Sequence, residues 1–402
     1  MPDHPTHPDI DLMAGEFYAG DPHPLFGWMR THAPLYWDEP RQVWGVTLHE
    51  DIQRVSRDPG TFCNRYGMRP DSPPIPSMIN YDDPLHKKRR GLVNRGFTKG
   101  RIADQEAKVR RVCRELIAGV AARGECEFVR DVAAPLPMIM IGDMLGVAPE
   151  DRDDLLRWSD DLIDGTSATA SPEAAARAGA AFGEYAAYNR KVVADRRSRA
   201  AGDDLMSILV HAEIDGDRLD DEALLQESLL ILVGGDETTR HVITGGMLQL
   251  LRNPEQRDAL VADPSGIPIA VEEMLRWVTP IQNMARTATR DVELRGQQVR
   301  EGDKLLLLYP SGNRDAAVFS EPDRFDARRD PNPHLAFGGY GTHFCLGSSL
   351  ARLELRVMFE ELLRWLPDMT LATEEALPMR ASNFITGIQQ MPVRFTPTAV
   401  SD

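Results

Sequence analysis

The chain has 402 residues, of which 42% are hydrophobic and 27% are charged, as is ordinary for a globular enzyme. Its net charge of −16 argues against a nucleic-acid partner, because nucleic acids are bound through basic residues that neutralise phosphates. No stretch approaches the roughly 18 consecutive apolar residues of a membrane span, and the N-terminal stretch lacks the basic start and apolar run of a signal peptide. We therefore expect a cytoplasmic protein with no membrane span.

Short strand-like segments at both ends of the chain flank a long helical middle. The first lies at residues 43–47 and is followed by a proline-rich loop at 70–76. From about residue 84 to 253 the pattern is mostly helical. Strand-like alternation returns later in the chain, at residues 292–299, 304–309 and 391–396. Since no linker is long enough to separate domains, we predict a single domain over residues 1–402 that is mainly α with minor β.

The longest helical pattern covers residues 220–253, with aspartates at its start and Asn-Pro at its end. At about 1.5 Å per residue this helix is about 50 Å long, enough to cross the molecule. Its centre is unusual, because Gly234, Gly235 and Glu237 interrupt an apolar run, and each mid-helix glycine costs about 1 kcal/mol against alanine. Two explanations are open: the close approach of a flat cofactor, or helix–helix packing with Glu237 paired on the surface. The hydroxyl of Thr238 is placed to donate to the carbonyl of Gly234 and open the helix there.

Cys345 has the most unusual surroundings among the four cysteines. It lies in the segment 334–347, which reads HLAFGGYGTHFCLG and ends where an amphipathic helical pattern begins. At the N-terminal end of a helix, free N–H groups and the helix dipole stabilise a thiolate. Gly347 leaves amides free to approach the sulfur, and three more glycines allow the loop to lie against a flat group: Gly338, Gly339 and Gly341. Such a thiolate favours O–O cleavage at haem iron, which predicts Cys345 as an iron ligand; the alternative is an inert buried cysteine.

These two segments carry a resemblance to the cytochrome P-450 family. The family's helix motif, [AG]-G-x-[DE]-T-[TS], is matched at 234–239, and its cysteine loop, F-G-x-G-x-H-x-C-x-G, at Gly339, Gly341, His343, Cys345 and Gly347. Phe337 departs from the pattern by one residue, and a similar longer loop occurs in family members that act on sterols and methyl-branched lipids. The segments 141–147, 234–241 and 350–355 (IGDMLGV, GGDETTRH and LARLEL) look most like actinobacterial enzymes that hydroxylate the cholesterol side chain at its terminal carbon.

The resemblance extends over the whole chain and implies the family's triangular-prism fold, with the long central helix lying over haem b. The implied reaction is monooxygenation, in which one oxygen atom of O2 is inserted into a C–H bond of an apolar substrate, such as a sterol side chain or a branched lipid. Electrons would come from NAD(P)H through a separate ferredoxin reductase and ferredoxin, and the enzyme would be a monomer. Two alternatives stay open: hydroxylation of a bulky natural product or a carrier-protein-bound acyl or aminoacyl group, and a haem-thiolate binding or sensing protein without catalysis.

The resemblance also implies roles for individual residues. Glu237 and Thr238 would deliver protons during the reduction of O2. Beside Cys345, the metal ligand, the haem would be bound by six residues: His86, Arg90, Arg286, His343, Gly339 and Gly347. A patch for an acidic ferredoxin is expected at three neighbouring basic residues: Lys87, Lys88 and Arg89.

Glu273 and Arg276 form a Glu-x-x-Arg pair at helical spacing and resemble the family's buried pair, for which Arg324 would be the third partner. We predict a structural role for these three residues, which would brace the loop that holds Cys345 through bidentate guanidinium–carboxylate contacts. The substrate pocket is predicted to be walled by the loop at 75–79, by Asn283 and by four apolar side chains: Ile79, Val233, Ile281 and Phe384.

Overall fold

The structure is a computed structural model that describes residues 4–165, 170–214 and 216–400. Its helices are α1 (Gly15–Ala19), α2 (His23–His32), α3 (His49–Arg57), α4 (Leu85–Val93), α5 (Lys99–Ala103), α6 (Glu106–Ala121), α7 (Pro135–Leu145), α8 (Arg152–Asp164), α9 (Pro172–Ser198), α10 (Leu205–His211), α11 (Asp221–Arg252), α12 (Pro254–Ala262), α13 (Ile267–Val278), α14 (Tyr309–Gly312) and α15 (Ser348–Trp365). Its strands are β1 (Leu35–Asp38), β2 (Val43–Val46), β3 (Phe62–Cys63), β4 (Glu125–Glu127), β5 (Glu213–Ile214), β6 (Asp217–Arg218), β7 (Asn283–Ala288), β8 (Val292–Leu294), β9 (Gln297–Val299), β10 (Lys304–Leu308), β11 (Thr370–Leu371) and β12 (Pro392–Arg394). A 3₁₀ turn at Met78–Asn80 and a π-helix at Val129–Ala133 add to these elements.

The largest sheet joins strands from distant parts of the chain. Its five strands lie in the order β1-β2-β10-β7-β3. β1 and β2 form an antiparallel hairpin, β10 runs parallel to β2, and β7 pairs antiparallel with β10. A second sheet, in the order β11-β12-β4, ties the last strand to β4. The predicted strands at 43–47, 304–309 and 391–396 are therefore confirmed, and the segment at 292–299 forms the hairpin β8–β9.

α11 is the long helix that the sequence predicts. It begins at Asp221, where the carboxylate of Asp220 accepts a 2.8 Å hydrogen bond from the N–H of Ala223, and it ends at Arg252. Its 32 residues correspond to about 48 Å at 1.5 Å per residue. Most of its side chains are buried, because α7, α13 and α15 pack around it. The helix therefore runs through the interior of the fold.

The hydrophobic core is divided by α11 and by the five-stranded sheet. Side chains of α6, α13 and α15 pack against the C-terminal half of α11, where Met247, Met274 and Phe359 are fully buried. The N-terminal half of α11 packs with α7, α8, α9 and α10 in a second cluster. Two smaller clusters cover the two faces of the sheet. A cavity is left beside α11 where the two larger clusters meet.

The predicted Glu-x-x-Arg pair lies on α13 and is fully buried. The guanidinium of Arg276 donates two hydrogen bonds of 2.7 Å to the carboxylate of Glu273. The predicted third partner is wrong, because the side chain of Arg324 is exposed and pairs with Glu321, while its backbone carbonyl accepts a bond from Arg276. Arg329 takes that place, with its Nε 3.1 Å from Glu273 Oε2. Both arginines lie in one irregular loop, so the spacing of charges does not distinguish them.

Arg329→Ala is expected to lower the free energy of unfolding by about 3 kcal/mol, because it leaves the buried carboxylate of Glu273 short of a charged partner. Arg324→Ala is the matched control, and since the Arg324 side chain is exposed its effect is expected to stay within about 0.5 kcal/mol. The measurement is the thermal unfolding midpoint of both variants and the wild type. Equal midpoints for the two variants would contradict the assignment of Arg329.

Candidate active site

A cavity of about 1700 Å³ lies beside the middle of α11. Gly234 and Thr238 of α11 bound it on one side, and Cys345 and Gly347, at the start of α15, bound it on another. Apolar side chains line much of its wall, and four neighbouring basic side chains line a part of it: His86, Arg90, Arg286 and His343. This volume includes space that opens to solvent, so the lining residues rather than the size indicate what the cavity binds.

Cys345 presents its sulfur to this cavity and is accessible from it, although it lies deep in the protein. Burial raises the pKa of the thiol, while the backbone N–H groups of Gly347 and Ser348 and the charge of Arg90 oppose that rise. The N–H of Cys345 donates a 3.0 Å hydrogen bond to the carbonyl of Phe337, which holds the loop in a turn. The N–H groups at the start of α15 thus favour a thiolate, but its burial calls for a bound cation such as a metal ion.

The glycines of the cysteine loop have different surroundings. Gly338 has a φ of 96°, in the left-handed region, and it lines the cavity. Gly347 also lines the cavity, and a Cβ built there would meet no atom of the described residues within 4 Å. Gly339 faces α3, where a Cβ would lie 2.2 Å from the Ser56 hydroxyl, and it is absent from the cavity wall, so its contact with the cofactor stays a prediction. A Cβ at Gly341 would lie 1.8 Å from the Ser56 carbonyl oxygen, so these two glycines seat the loop on α3.

The extra residue of the loop leaves Phe337 in the cavity wall. Its ring packs against the guanidinium of Arg352 on α15, whose carbon lies 4.5 Å from the ring centroid. Arg352 is held in turn by two hydrogen bonds, of 2.7 and 2.8 Å, to the carboxylate of Glu272. The ion pair between α13 and α15 therefore contributes to the position of this ring, which also packs against His334 and Phe344.

The four basic side chains of the wall form one group. The ring centroids of His86 and His343 lie 4.1 Å apart, and Nε2 of His86 has no hydrogen-bond partner among the described residues. The guanidinium groups of Arg90 and Arg286 each donate a hydrogen bond to a backbone carbonyl. Neither forms an ion pair with a carboxylate of the residues that the structure describes. Burial and the nearby guanidinium groups lower the pKa of His343 to about 2. The two guanidinium groups are cations without a carboxylate and call for an anionic ligand, to which the neutral imidazoles could also donate N–H bonds, so the propionates of a haem would fit this group.

The two glycines of α11 account for both explanations of the interrupted helix. A Cβ on Gly235 would lie 2.7 Å from Cδ1 of Ile141, so this glycine allows α7 to pack closely against α11. Gly234 faces the cavity, and within the described structure a Cβ there would have nothing closer than 4 Å. Thr238 lines the cavity as well, and its hydroxyl donates a 3.1 Å hydrogen bond to the carbonyl of Gly234, as predicted. One helix turn therefore presents a hydroxyl to the cavity beside a gap left by a glycine.

Glu237 lies next to the cavity in a buried ion cluster. Its carboxylate accepts hydrogen bonds from Arg380 at 2.7 Å, from His241 at 3.1 Å and from Arg240. Arg240 also pairs with Asp160 of α8 at 3.1 Å. Burial by itself raises the pKa of Glu237, but the bond from His241 and the charges of Arg240 and Arg380 hold it well below its usual range. The carboxylate is therefore ionised and paired in the interior, not on the surface.

Two buried acids near α11 carry no motif that marks them in the sequence. Burial and the charge of Glu237 raise the pKa of Asp236 to about 8. Glu354 of α15 lines the cavity, and burial together with Asp236 raises its pKa to about 8. Both carboxyl groups are therefore mostly protonated near neutral pH. The sequence signal for each is an acid within an apolar helix face, which does not by itself indicate a cavity.

All four predicted pocket residues line the cavity: Ile79, Val233, Ile281 and Phe384. Met78, within the predicted loop at 75–79, lines it as well, and so do two methionines that the sequence did not single out: Met68 and Met284. Asn283 does not face it, because its amide donates to the hydroxyl of Tyr18 and to the carbonyl of Asn383. Neighbours on a strand point to opposite faces, so the side chain of β7 that faces the cavity is the next one, Met284.

One cavity therefore combines a cysteine sulfur, a group of basic side chains and a long apolar wall. These features fit a haem, since Cys345 would bind its iron and the basic group would bind its propionates. The fold and the site together define a protein of the haem-thiolate class.

Comparison with known proteins identifies the family. Residues 268–379 match the family model of cytochrome P-450. The chain is 50% identical to Steroid C26-monooxygenase of Mycobacterium tuberculosis over 97% of this chain and 98% of that protein. It is 39% identical to Methyl-branched lipid omega-hydroxylase of Mycobacterium bovis over 96% of this chain and 95% of that protein. The solved structure of Mycobacterium marinum cytochrome P-450 CYP268A2 in complex with pseudoionone is 34% identical, with a TM-score of 0.90 over 98% of this chain and 100% of that one.

The chain belongs to the cytochrome P-450 family and is a haem-dependent monooxygenase. This confirms the predicted fold class and the predicted cofactor, haem b, with electrons that come from NAD(P)H through redox partners. The alternative of a binding or sensing protein without catalysis is therefore not supported. No helix in the described ranges is both long enough and apolar enough to span a membrane.

Proposed function

We propose that this enzyme hydroxylates a terminal methyl group on the side chain of a sterol or a methyl-branched lipid. The observation that carries the proposal is the apolar wall of the cavity beside Thr238 and Cys345. Similar proteins support it, since their names specify a steroid and a methyl-branched lipid as the molecules on which they act. The shared substrate chemistry is a branched alkyl chain attached to a bulkier or more polar end.

The wall suits an alkyl chain better than a polar substrate. It contains aliphatic, methionine and phenylalanine side chains: Met68, Met78, Ile79, Val233, Ile281, Met284, Phe384 and Ile385. Burying a methylene-sized group contributes about 0.8 kcal/mol, so about ten buried carbons would supply the roughly 8 kcal/mol of a micromolar complex. We infer that the branched tail enters the cavity first.

The residues of the site would hold haem b through its iron and its propionates. Cys345 would bind the iron, and the propionates would be bound by the basic group: His86, Arg90, Arg286 and His343. Gly234 and Gly347 would leave room for the flat ring, because neither has a side chain that projects into the cavity. When bound, the haem supplies the O2 chemistry that oxidises a C–H bond.

Protons would reach the cavity along α11. Hydroxylation consumes one O2, two electrons and two protons, and it releases one water beside the alcohol. The hydroxyl of Thr238, anchored on the carbonyl of Gly234, is placed to pass a proton to a molecule in the cavity. Glu237, the preceding residue, lies in the interior outside the cavity wall and would supply Thr238 with protons.

A second, polar cleft supports this route. It spans about 680 Å³, part of which is open to solvent, and is lined by the exposed Asp164 and Arg177 and by the buried Arg380. Arg380 bonds Glu237 at 2.7 Å and lies 3.5 Å from Asp164. Water in the cleft would therefore meet the ion cluster at Arg380. Because the pKa of Glu237 is held low, this carboxylate is ionised at rest and would hold a proton only in passing.

The test is a titration of the purified enzyme with cholest-4-en-3-one, followed by its Soret absorption band. A bound sterol is expected to shift the band with a dissociation constant on the order of micromolar, and the product is expected to carry its hydroxyl on a terminal side-chain methyl. Val233→Glu should abolish the shift, because it places a charge in the apolar wall. The control is Val318→Glu, which changes an exposed valine and should bind the sterol as the wild type does.

The same titration decides between the substrate classes. A shift with a methyl-branched fatty acid, and none with sterols, would keep the lipid form of the proposal. If neither sterols nor methyl-branched fatty acids shift the band, while a bulky natural product or a carrier-protein-bound acyl or aminoacyl group does, that group replaces both proposed substrate classes.

We also infer a ferredoxin and a ferredoxin reductase as the redox partners, a monomeric enzyme with one domain over residues 1–402, and a cytoplasmic location. The sheet that joins distant parts of the chain supports the single domain.

The basic patch of α4 offers less free positive charge than its sequence suggests, because Lys87 pairs with Asp83 at 2.9 Å and one guanidinium nitrogen of Arg89 is buried. A docked acidic ferredoxin would therefore draw on basic residues beyond this patch.

A further inference from the structure

Arg69 is a buried arginine to which neither the sequence motifs nor the proposed reaction assigns a role. It lies in the loop between β3 and the 3₁₀ turn at Met78–Asn80, and 4% of its surface is exposed. Burying a guanidinium is unfavourable unless hydrogen bonds and a counter-charge satisfy it. The contacts of Arg69 therefore indicate what it does in this fold.

The guanidinium of Arg69 joins three segments of the chain. It donates a 2.6 Å hydrogen bond to Oδ1 of Asn383, in the segment between β11 and β12, and a 3.2 Å bond to Oδ1 of Asn283 on β7. Asp71, in the same loop as Arg69, supplies the counter-charge, with carboxylate oxygens 3.5 Å from Nη2 and from Nε. The amide of Asn283 also donates a 2.8 Å bond to the carbonyl of Asn383. The three segments therefore meet in one buried polar network.

The same three segments supply part of the substrate wall. Beside Arg69, Asn283 and Asn383 in the sequence stand three residues that line the cavity: Met68, Met284 and Phe384. The guanidinium carbon of Arg69 lies 4.6 Å from the centroid of the Phe384 ring. Arg69 does not line the cavity itself, so its effect on a substrate would pass through this ring.

Backbone hydrogen bonds place the wall, and Arg69 contacts one of its side chains, that of Phe384. The N–H of Ala285 donates to the carbonyl of Met68 at 2.7 Å, and the N–H of Gln282 donates to the carbonyl of Phe384 at 2.8 Å. These bonds align both segments with β7 but leave the ring of Phe384 free to turn about its side-chain torsions. A planar guanidinium can bond two amides and cover a ring at the same time, whereas a lysine offers a single point charge.

We propose that Arg69 is a positioning residue of the substrate cavity, which holds Phe384 and the loop against β7 and thereby sets which carbon of the substrate is presented for hydroxylation. The inference deepens the proposed function and rests on it in one respect, namely that the substrate occupies this cavity.

The test compares the wild-type holoenzyme with Arg69→Lys and Arg69→Met. The probes are imidazole and N-alkylimidazoles of increasing chain length, whose binding at the iron is followed by the Soret band. Imidazole itself should bind all three proteins equally, because it needs the iron and little of the wall. The longest alkyl probe is expected to bind the variants about five- to tenfold more weakly, because the wall no longer holds one shape.

Arg314→Lys is the matched control, because Arg314 is also buried and covers an aromatic ring, that of Trp277, at 3.6 Å, but does not line the cavity. It is expected to lower the thermal unfolding midpoint while the ratio of long-probe to imidazole dissociation constants stays at the wild-type value. If the Arg69 variants also keep that ratio, Arg69 is a stabilising residue alone and the inference is overturned.

Phe384→Leu tests the same wall without removing the buried charge. It is expected to change the probe ratio by a similar factor, and adding Arg69→Lys should then change it little further, since both act through one ring. An unchanged ratio in Phe384→Leu overturns the inference even if the Arg69 variants do not fold.

With the sterol, Arg69→Lys should give a mixture of hydroxylated positions where the wild type gives one. Failure of the sterol to bind the wild type would sink the proposed function alone, because the probe ratios do not depend on the natural substrate.

Discussion

Cys345→Ser is expected to abolish the absorption band at about 450 nm that the reduced enzyme forms with carbon monoxide, because this band reflects electron donation from a thiolate to the iron. A serine hydroxyl is a much weaker donor and is not deprotonated by the N–H groups at the start of α15. Much of the haem should be lost as well. The measurement is the carbon monoxide difference spectrum together with the haem content per chain.

Cys126→Ser is the control for this substitution, since Cys126 lies on β4 and is absent from the cavity wall. It should keep both the band and the haem. A wild-type enzyme that shows its band at about 420 nm, or a Cys345→Ser variant that keeps the band at about 450 nm, would remove Cys345 as the iron ligand.

Thr238→Ala is expected to divert most of the electrons from product to hydrogen peroxide, because two-electron-reduced oxygen leaves as peroxide when no organised donor supports O–O cleavage. Product formed per NAD(P)H consumed should fall by about tenfold or more, while substrate affinity and the rate of reduction stay near their wild-type values. The measurement is the ratio of peroxide and of product to NAD(P)H in one assay.

Thr244→Ala controls for changes in the helix itself. Thr244 also lies on α11 and its hydroxyl also donates to a carbonyl four residues back, that of Arg240, at 2.9 Å, but it is fully buried outside the cavity wall. Equal uncoupling in both variants would point to a distorted helix rather than to proton supply. Full coupling in Thr238→Ala would move the proton donor elsewhere, and Glu354, whose pKa of about 8 keeps it protonated, is then the first candidate.

Local signals in the sequence determined the largest features of this protein. The caps and apolar spacing of residues 220–253 predict α11 to within one residue at each end, because helix limits depend on neighbouring side chains. The position of Cys345 at a helix N-terminus follows in the same way from the residues beside it. These short-range patterns were enough to indicate the iron ligand and the class of reaction.

Contacts between distant segments were decided by the tertiary structure. The family resemblance pointed to Arg324 as the third partner of the buried pair, whereas the folded chain brings Arg329 to Glu273. The partners of Arg69 lie 214 and 314 residues further along the chain, so no sequence window contains them together. Irregular loops have no periodicity that reveals which side faces a cavity, and their side chains take their places when remote segments pack. The sequence by itself therefore determined the family, the chemistry and the cysteine that is predicted to bind the iron, and the tertiary structure decided which side chains surround that cysteine.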